Sequence, residues 1–390
     1  MTDRKALYTL FLVVFIDLLG FGIVIPILPY YAQTFGANAF ELGLLMMIYS
    51  LMQFFFAPVW GSLSDRYGRK PILVFSILGA SLTLLGAGLA TTFWGLFIAR
   101  FFGGISGANI STAYAFVADV TSPKDRSKGM GLMGAGFGLG FIFGPAIGGI
   151  LSQWGYATPL FFGSALAALN GLLAWKVLKE PKHKESATKN RPFFFSKKAL
   201  HLLQTQRPIL LPIGLFFLVT LAATQLEVLF AFFVQARFGF EAREAGMLLA
   251  FLGFSMALVQ GVLVGPFTQR FGMSRLIQVG FLLSTSALIG FAFSSEIHWT
   301  VVTLAVLAVG NGLLQPSLSA LMSYRAPERI RGMGMGLYHS ASSLARVVGP
   351  LSAGFLYDRV SVQSPFLVGA GFLALGGFLY FLKGVNGSNT

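Results

Sequence analysis

Twelve predominantly apolar runs, each about twenty residues or longer, alternate with polar loops along the 390-residue chain. They fall at about 6–31, 41–60, 71–90, 93–117, 129–151 and 158–178, and, after a polar stretch, at 209–236, 244–267, 274–294, 298–322, 332–356 and 362–382. A helix needs roughly twenty apolar residues to cross a bilayer, where every backbone N–H and C=O must be bonded within the segment. The pattern predicts an all-α membrane protein with twelve transmembrane helices. The first run is longer than a signal-peptide core and no small-residue cleavage pattern follows it, so it is read as a retained first span.

Charge sets the expected orientation. Loops 61–70, 124–128, 179–208 and 325–331 are rich in Lys and Arg, whereas 32–40, 91–92, 152–157 and 295–298 contain neither. Basic loops stay in the cytoplasm, which places both termini and the central loop inside. Arg237, Arg243 and Arg359 fall on the other side, close to the acidic Glu241, Glu244 and Asp358. The net charge of +14 thus follows topology, and nucleic acid is not expected as a partner. The central loop divides the chain into a six-helix half at 1–178, a cytoplasmic linker at 179–208 and a second six-helix half at 209–390. Within the linker, Phe193, Phe194 and Phe195 followed by Lys197 and Lys198 fit either a short interfacial helix or a solvated connection.

The halves repeat. Gly61-Ser-Leu-Ser-Asp-Arg66-Tyr-Gly68 returns in weaker form at Gly265-Pro-Phe-Thr-Gln-Arg270-Phe-Gly272, Gly144-Pro145 returns as Gly349-Pro350, and Asp125-Arg126 as Glu328-Arg329. Six helices is an even number, so both halves enter the membrane from the same side, as parallel repeats do.

Composition adds exclusions. The chain is 55% hydrophobic and 11% charged, with a mean hydropathy of +0.74. It has no cysteine, hence no disulfide, thiolate metal site or cysteine nucleophile. The four histidines lack metal-ligand spacing, no phosphate-binding G-x-x-x-x-G-K-[ST] segment is present, and Gly134-Ala-Gly136-Phe-Gly138 lies inside a membrane run with no preceding strand. Neither a cofactor nor ATP is expected, and no catalytic motif points to an enzyme.

The motifs resemble the major facilitator superfamily over essentially the whole chain. Gly61-Ser-Leu-Ser-Asp65-Arg66-Tyr-Gly68-Arg69-Lys70-Pro-Ile-Leu73 is similar to its signature loop between helices 2 and 3. Gly140-Phe-Ile-Phe-Gly144-Pro145-Ala-Ile-Gly148-Gly149 resembles the helix-5 motif of its drug:proton antiporters. Arg100-Phe-Phe-Gly103-Gly104 partly matches the helix-4 arginine motif, with Gly103 where glutamine is usual. Asp17-Leu-Leu-Gly20-Phe-Gly22 through Pro26 and Pro29, with Gly104-Ile-Ser-Gly107-Ala, is closest in pattern to the tetracycline efflux antiporters. Where those carry acids in helices 3 and 9 and a histidine in helix 8, the chain aligns Thr83, Ser284 and Met256. The resemblance implies two pseudo-symmetric six-helix halves, proton coupling through Arg100, and a cytoplasmic gate of Asp65, Arg66, Arg69 and Asp119.

Ionisable residues inside apolar runs are expensive and mark cavities or partners. Asp17, mid-helix 1, is a candidate proton carrier or a neutral structural hydrogen-bonding group. Thr220, Thr224 and Glu227 share one face of helix 7, as a substrate-cavity stripe or a wetted interfacial patch. Arg346 in helix 11, seven residues after His339, needs an anionic partner; Glu227 and Asp17 are the central carboxylates. Arg100 lines up with Gly104, Gly107, Ser111 and Tyr114, and Asn311, Gln315 and Ser319 form a row on helix 10. The expected function is proton-coupled export of amphipathic organic compounds by alternating access, from a monomer in the bacterial inner membrane. Asp17, Arg100 and Glu227 are the proton-coupling candidates, and Asp17, Tyr114, Thr224, Glu227, Asn311, Gln315, His339 and Arg346 the cavity candidates. The rival readings are a lipid or lysolipid transporter, a proton-independent facilitator of a small solute, and a membrane enzyme or receptor on a transporter fold.

Overall fold

A computed structural model describes residues 4–121, 125–181, 207–327 and 330–384. Phe193–Phe195, most of the 179–208 linker and the Glu328-Arg329 pair lie outside the described residues. Helices follow the apolar runs closely. They are α1 (Arg4–Val24), α2 (Leu28–Gln33), α3 (Ala39–Tyr67), α4 (Arg69–Gly88), α5 (Phe93–Ser106), α6 (Ile110–Val120), α7 (Arg126–Leu151) and α8 (Thr158–Val177) in the first half. The second half has α9 (Leu210–Phe238), α10 (Ala242–Leu258), α11 (Val264–Phe271), α12 (Met273–Ala292), α13 (Ile297–Arg325), α14 (Arg331–Arg359) and α15 (Ser364–Gly384). Among the described residues, ten spans are long and apolar enough to cross a membrane, with α10 and α11 joined through a π-turn at Val259–Leu263 into one. The fourth run is divided by a 3₁₀ turn, Gly107–Asn109, between α5 and α6. The eleventh, α14, is 29 residues long and carries His339 and Arg346.

The chain forms two compact units. The first comprises Met1–Ala37, Ile48–Lys189 and Phe240–Ala250, the second Asn38–Met47, Asn190–Gly239 and Phe251–Thr390. The first turns of α3 belong to the second unit and those of α10 to the first.

In the first unit, α1 and α7 meet along glycines spaced four apart. A Cβ on Gly140 would stand 2.8 Å from Leu18 Cβ and one on Gly144 2.6 Å from Gly22 Cα, and Gly148 abuts the Ile23 carbonyl. Small residues at such spacing let backbones approach closely, which in lipid replaces the hydrophobic drive for association. Ser81 and Ser164 join α4 to α8 reciprocally, each hydroxyl 2.8 Å from the other's carbonyl. Asn170 Nδ2 donates to the Val13 carbonyl at 2.8 Å, tying α8 to α1. Around these seams Leu10, Val13, Ile77, Phe116 and Met133 form the apolar core.

The second unit centres on Phe233, Phe291 and Phe366, whose ring centroids lie 4.6–5.1 Å apart, Phe233–Phe291 being the nearest pair and Phe291–Phe366 the farthest. Gly349 of α14 faces Thr224 of α9, and a Cβ there would collide with the threonine side chain.

The repeat extends beyond its sequence signature. Gly246, in the first turns of α10, lies against the Pro145 carbonyl of α7, while Gly43 of α3 lies against the Pro350 carbonyl of α14. Asn38 and Glu41 form a reciprocal capping box at the start of α3, with N–H to side-chain distances of 2.9 and 2.8 Å. Glu244 caps Glu241 N–H in the corresponding place at 3.1 Å. Gly68 and Gly272 precede α4 and α12 with φ of 103° and 78°, a turn that only glycine enters without strain. Large apolar side chains such as Leu82 and Leu282, both 70% exposed, point outward, as a lipid-facing surface requires.

Candidate functional site

Among the described residues, two polar clusters of the first unit and one of the second hold the ionisable candidates.

The first sits where α3 ends and α4 begins. Gly68 turns the chain sharply, so Arg69 at the start of α4 folds back on the last turn of α3. Arg69 is only 5% exposed. Its Nε donates to Asp119 Oδ2 at 2.9 Å, its Nη1 donates to Ser64 Oγ at 2.7 Å, and the same nitrogen pairs with Asp65. The sequence reading placed Arg69 against Asp119, and the two are paired. Arg66 instead lies 5.2 Å from the centroid of the Tyr67 ring. Glu180 was missed. Its Oε1 and Oε2 accept from the Arg69 and Lys70 N–H groups at 2.6 and 2.9 Å, capping α4 with a carboxylate where the helix dipole is positive. In sequence it reads only as one charge at the edge of the linker.

The second cluster surrounds Asp17. Asn109 Nδ2 donates to Asp17 Oδ2 at 3.2 Å, across from the 3₁₀ turn to α1. Tyr49 of α3 lies within electrostatic range of both Asp17 and Arg100, and the Arg100 guanidinium sits 4.1 Å over its ring. The expected Arg100, Gly104, Gly107, Ser111 and Tyr114 face meets α3 as far as Ser111 and leaves it at Tyr114. Gly104 and Gly107 pack on Tyr49, Ser111 Oγ donates to the Ala57 carbonyl at 3.1 Å, and Tyr114 packs against the apolar core. Tyr49 and Asn109 were not singled out from sequence.

The third cluster lies along the seam of α9 and α14. Arg346 Nη1 donates to Glu227 Oε2 at 3.2 Å, with the side chains 45% and 21% exposed. This resolves the choice of partner left open in sequence. Thr220 Oγ1 donates to Ser342 Oγ at 3.2 Å. Thr224 is 3% exposed, bonded to the Leu221 carbonyl and closed against Gly349, so helix packing accounts for it. Gln225 is fully buried and donates to Ser352 Oγ of α14 at 3.0 Å. Toward the starts of the two helices, Phe216 stacks on Tyr338 with centroids 4.0 Å apart and planes at 3°, and His339 stands edge-on to Phe216 at 6.1 Å. Asn311 accepts from Ser284 Oγ at 3.3 Å, joining α13 to α12, and Gln315 lies half-buried one turn on.

The helix-5 residues divide by face. Gly140, Gly144 and Gly148 meet α1, whereas Pro145 and Gly149 meet the first turns of α10. Among the described residues no group of three or more His, Asp or Glu side chains is placed to hold a metal ion.

The sequence profile of the Major Facilitator Superfamily matches residues 10–346 and again 261–388. The class B tetracycline resistance protein of Escherichia coli is 32% identical over 350 residues, covering 88% of this chain and 86% of its own. Multidrug resistance protein 1 of Bacillus subtilis (strain 168) is 32% identical over 367 residues, covering 93% and 92%. The crystal structure of the nucleoside transporter NupG superposes with a TM-score of 0.79 at 15% identity, over 97% of this chain and 99% of that one.

Proposed function

The chain belongs to the Major Facilitator Superfamily and is a multi-pass membrane transporter; from that premise we propose that it exports amphipathic organic compounds from the bacterial cytoplasm in exchange for protons, by alternating access, with both termini inside. The observation that carries this reading is Asp17. It is a carboxylate in the middle of a membrane helix whose hydrogen bond comes from a neutral amide. A proton can arrive or leave without breaking an ion pair, which suits a group that must be alternately loaded and emptied. Glu227 already has a guanidinium for its charge and is assigned to substrate.

The relatives' names speak of tetracycline and of many drugs. We favour the broader class. Thr83 hydrogen-bonds within its own helix, to the Ala80 carbonyl, and Ser284 is fully buried against Asn311. Neither supplies the carboxylate that a cationic metal chelate would need. The test is rhodamine B flux in everted membrane vesicles energised to an acidic lumen. Uptake should collapse when nigericin removes the pH gradient. Flux indifferent to every pH gradient would instead support the facilitator reading.

A further inference from the structure

Two arginines of this chain meet carboxylates in opposite ways. Arg69 is buried and bonded to three side chains, as a lock should be. Among the described residues, Arg346 has one polar partner, Glu227 at 3.2 Å, and it remains nearly half exposed. A guanidinium carries five N–H donors in a fixed fork, so most of its capacity is open. A charge in a membrane span is costly unless matched or wetted. The pair is matched internally, and its geometry does not require it to remain closed.

The rest of the seam is graded. Thr220 and Ser342 are joined one to two turns before the ion pair, and beyond them lies the aromatic surface of Phe216 and His339, backed by the buried Tyr338. His339 and Arg346 are two helical turns apart, about 10 Å. The seam therefore presents opposite charges at one end and aromatic rings at the other. A lone cation taken by Glu227 would leave Arg346 facing it, and a lone anion on Arg346 would face Glu227. A molecule carrying both charges satisfies both partners without changing the net charge of a poorly solvated site.

We propose that the Glu227–Arg346 pair opens to receive a zwitterionic headgroup, anionic group on Arg346 and cationic group on Glu227, while the aromatic end takes the apolar body. The substrate class is thus an amphipathic zwitterion. The export reading supplies only the direction of movement.

Purified protein in nanodiscs is titrated with three dyes of similar fused-ring body, followed by fluorescence anisotropy against empty nanodiscs. Rhodamine B has both charges, its ethyl ester has only the cation, and fluorescein has only negative charge. Wild type should prefer rhodamine B to its ester by about tenfold, or ~1.4 kcal/mol. Arg346→Gln should erase that preference. The double exchange Glu227→Arg with Arg346→Glu should restore it, which a misfolded protein could not do. Equal affinity of wild type for rhodamine B and its ester overturns the proposal, as does a preference that survives in Arg346→Gln with an unchanged melting temperature. Export is read separately in proteoliposomes. Charge-selective binding without pH-driven flux would sink the export reading and leave the zwitterion site standing.

Discussion

Arg69, Arg346 and Asp17 each solve the problem of an ionisable group near or within a membrane, and their surroundings predict different mutational outcomes. The Arg69 fork reaches Asp119 through Nε and Ser64 through Nη1, a geometry that an ammonium cannot reproduce. Arg69→Lys should therefore lower stability by about 1.5–2 kcal/mol, the lower part of the range for hydrogen bonds to charged groups because both carboxylates are 35% exposed. Tryptophan-fluorescence melting reads this, and a melting temperature equal to wild type would show that the fork contributes nothing. The open Glu227–Arg346 pair should behave differently, with Arg346→Gln melting within a degree or two of wild type while changing ligand selectivity. Asp17, Glu227 and Arg346 were legible in the sequence because an ionisable residue in an apolar run is rarely accidental. Asn109 and Tyr49 were not. Neutral amides and aromatic rings are ordinary in membrane helices, so nothing in the sequence marks these two.

At the scale of elements, the glycines of α7 separate into two kinds. Gly144 packs on Gly22 with no room for a Cβ, whereas Gly138 has nothing within 4 Å. Gly144→Leu should force α1 and α7 apart and cost about 1–3 kcal/mol or prevent folding. Gly138→Ala should be neutral or stabilising by up to about 1 kcal/mol, since alanine is the better helix former. Comparing the yields and melting temperatures of the two variants tests the seam, and similar damage from both would contradict it. Helix positions were readable because the apolar runs must match the bilayer. The π-turn at Val259–Leu263 and the 3₁₀ turn at Gly107–Asn109 were not, because one changed hydrogen-bond register leaves hydrophobicity untouched. The pairing of Gly43 with Pro350 and Gly246 with Pro145 was also hidden. Isolated glycines are common in membrane helices, and only the repeated geometry separates these from the rest.

For the whole molecule, the apolar runs and the motifs carried the fold class, and the family match agrees with it. Orientation is an expectation from loop charge. The absence of native cysteine makes it simple to test. Single cysteines placed in 32–40 should react with an impermeant maleimide in intact cells, and those in 179–208 only after permeabilisation; labelling of both from one side would contradict the topology. What loop charge and repeats could not provide is the division of labour proposed for Asp17, with its neutral partner, and Glu227, with its charged one, because the proposal rests on which side chains the folded helices bring together. The most direct measurement is proton release from purified protein in weakly buffered detergent solution on addition of a transported dye, followed with a pH indicator. Wild type should release protons as the dye binds, Asp17→Asn should bind the dye and release none, and Glu227→Gln should lose dye affinity. Undiminished proton release by Asp17→Asn would contradict the account.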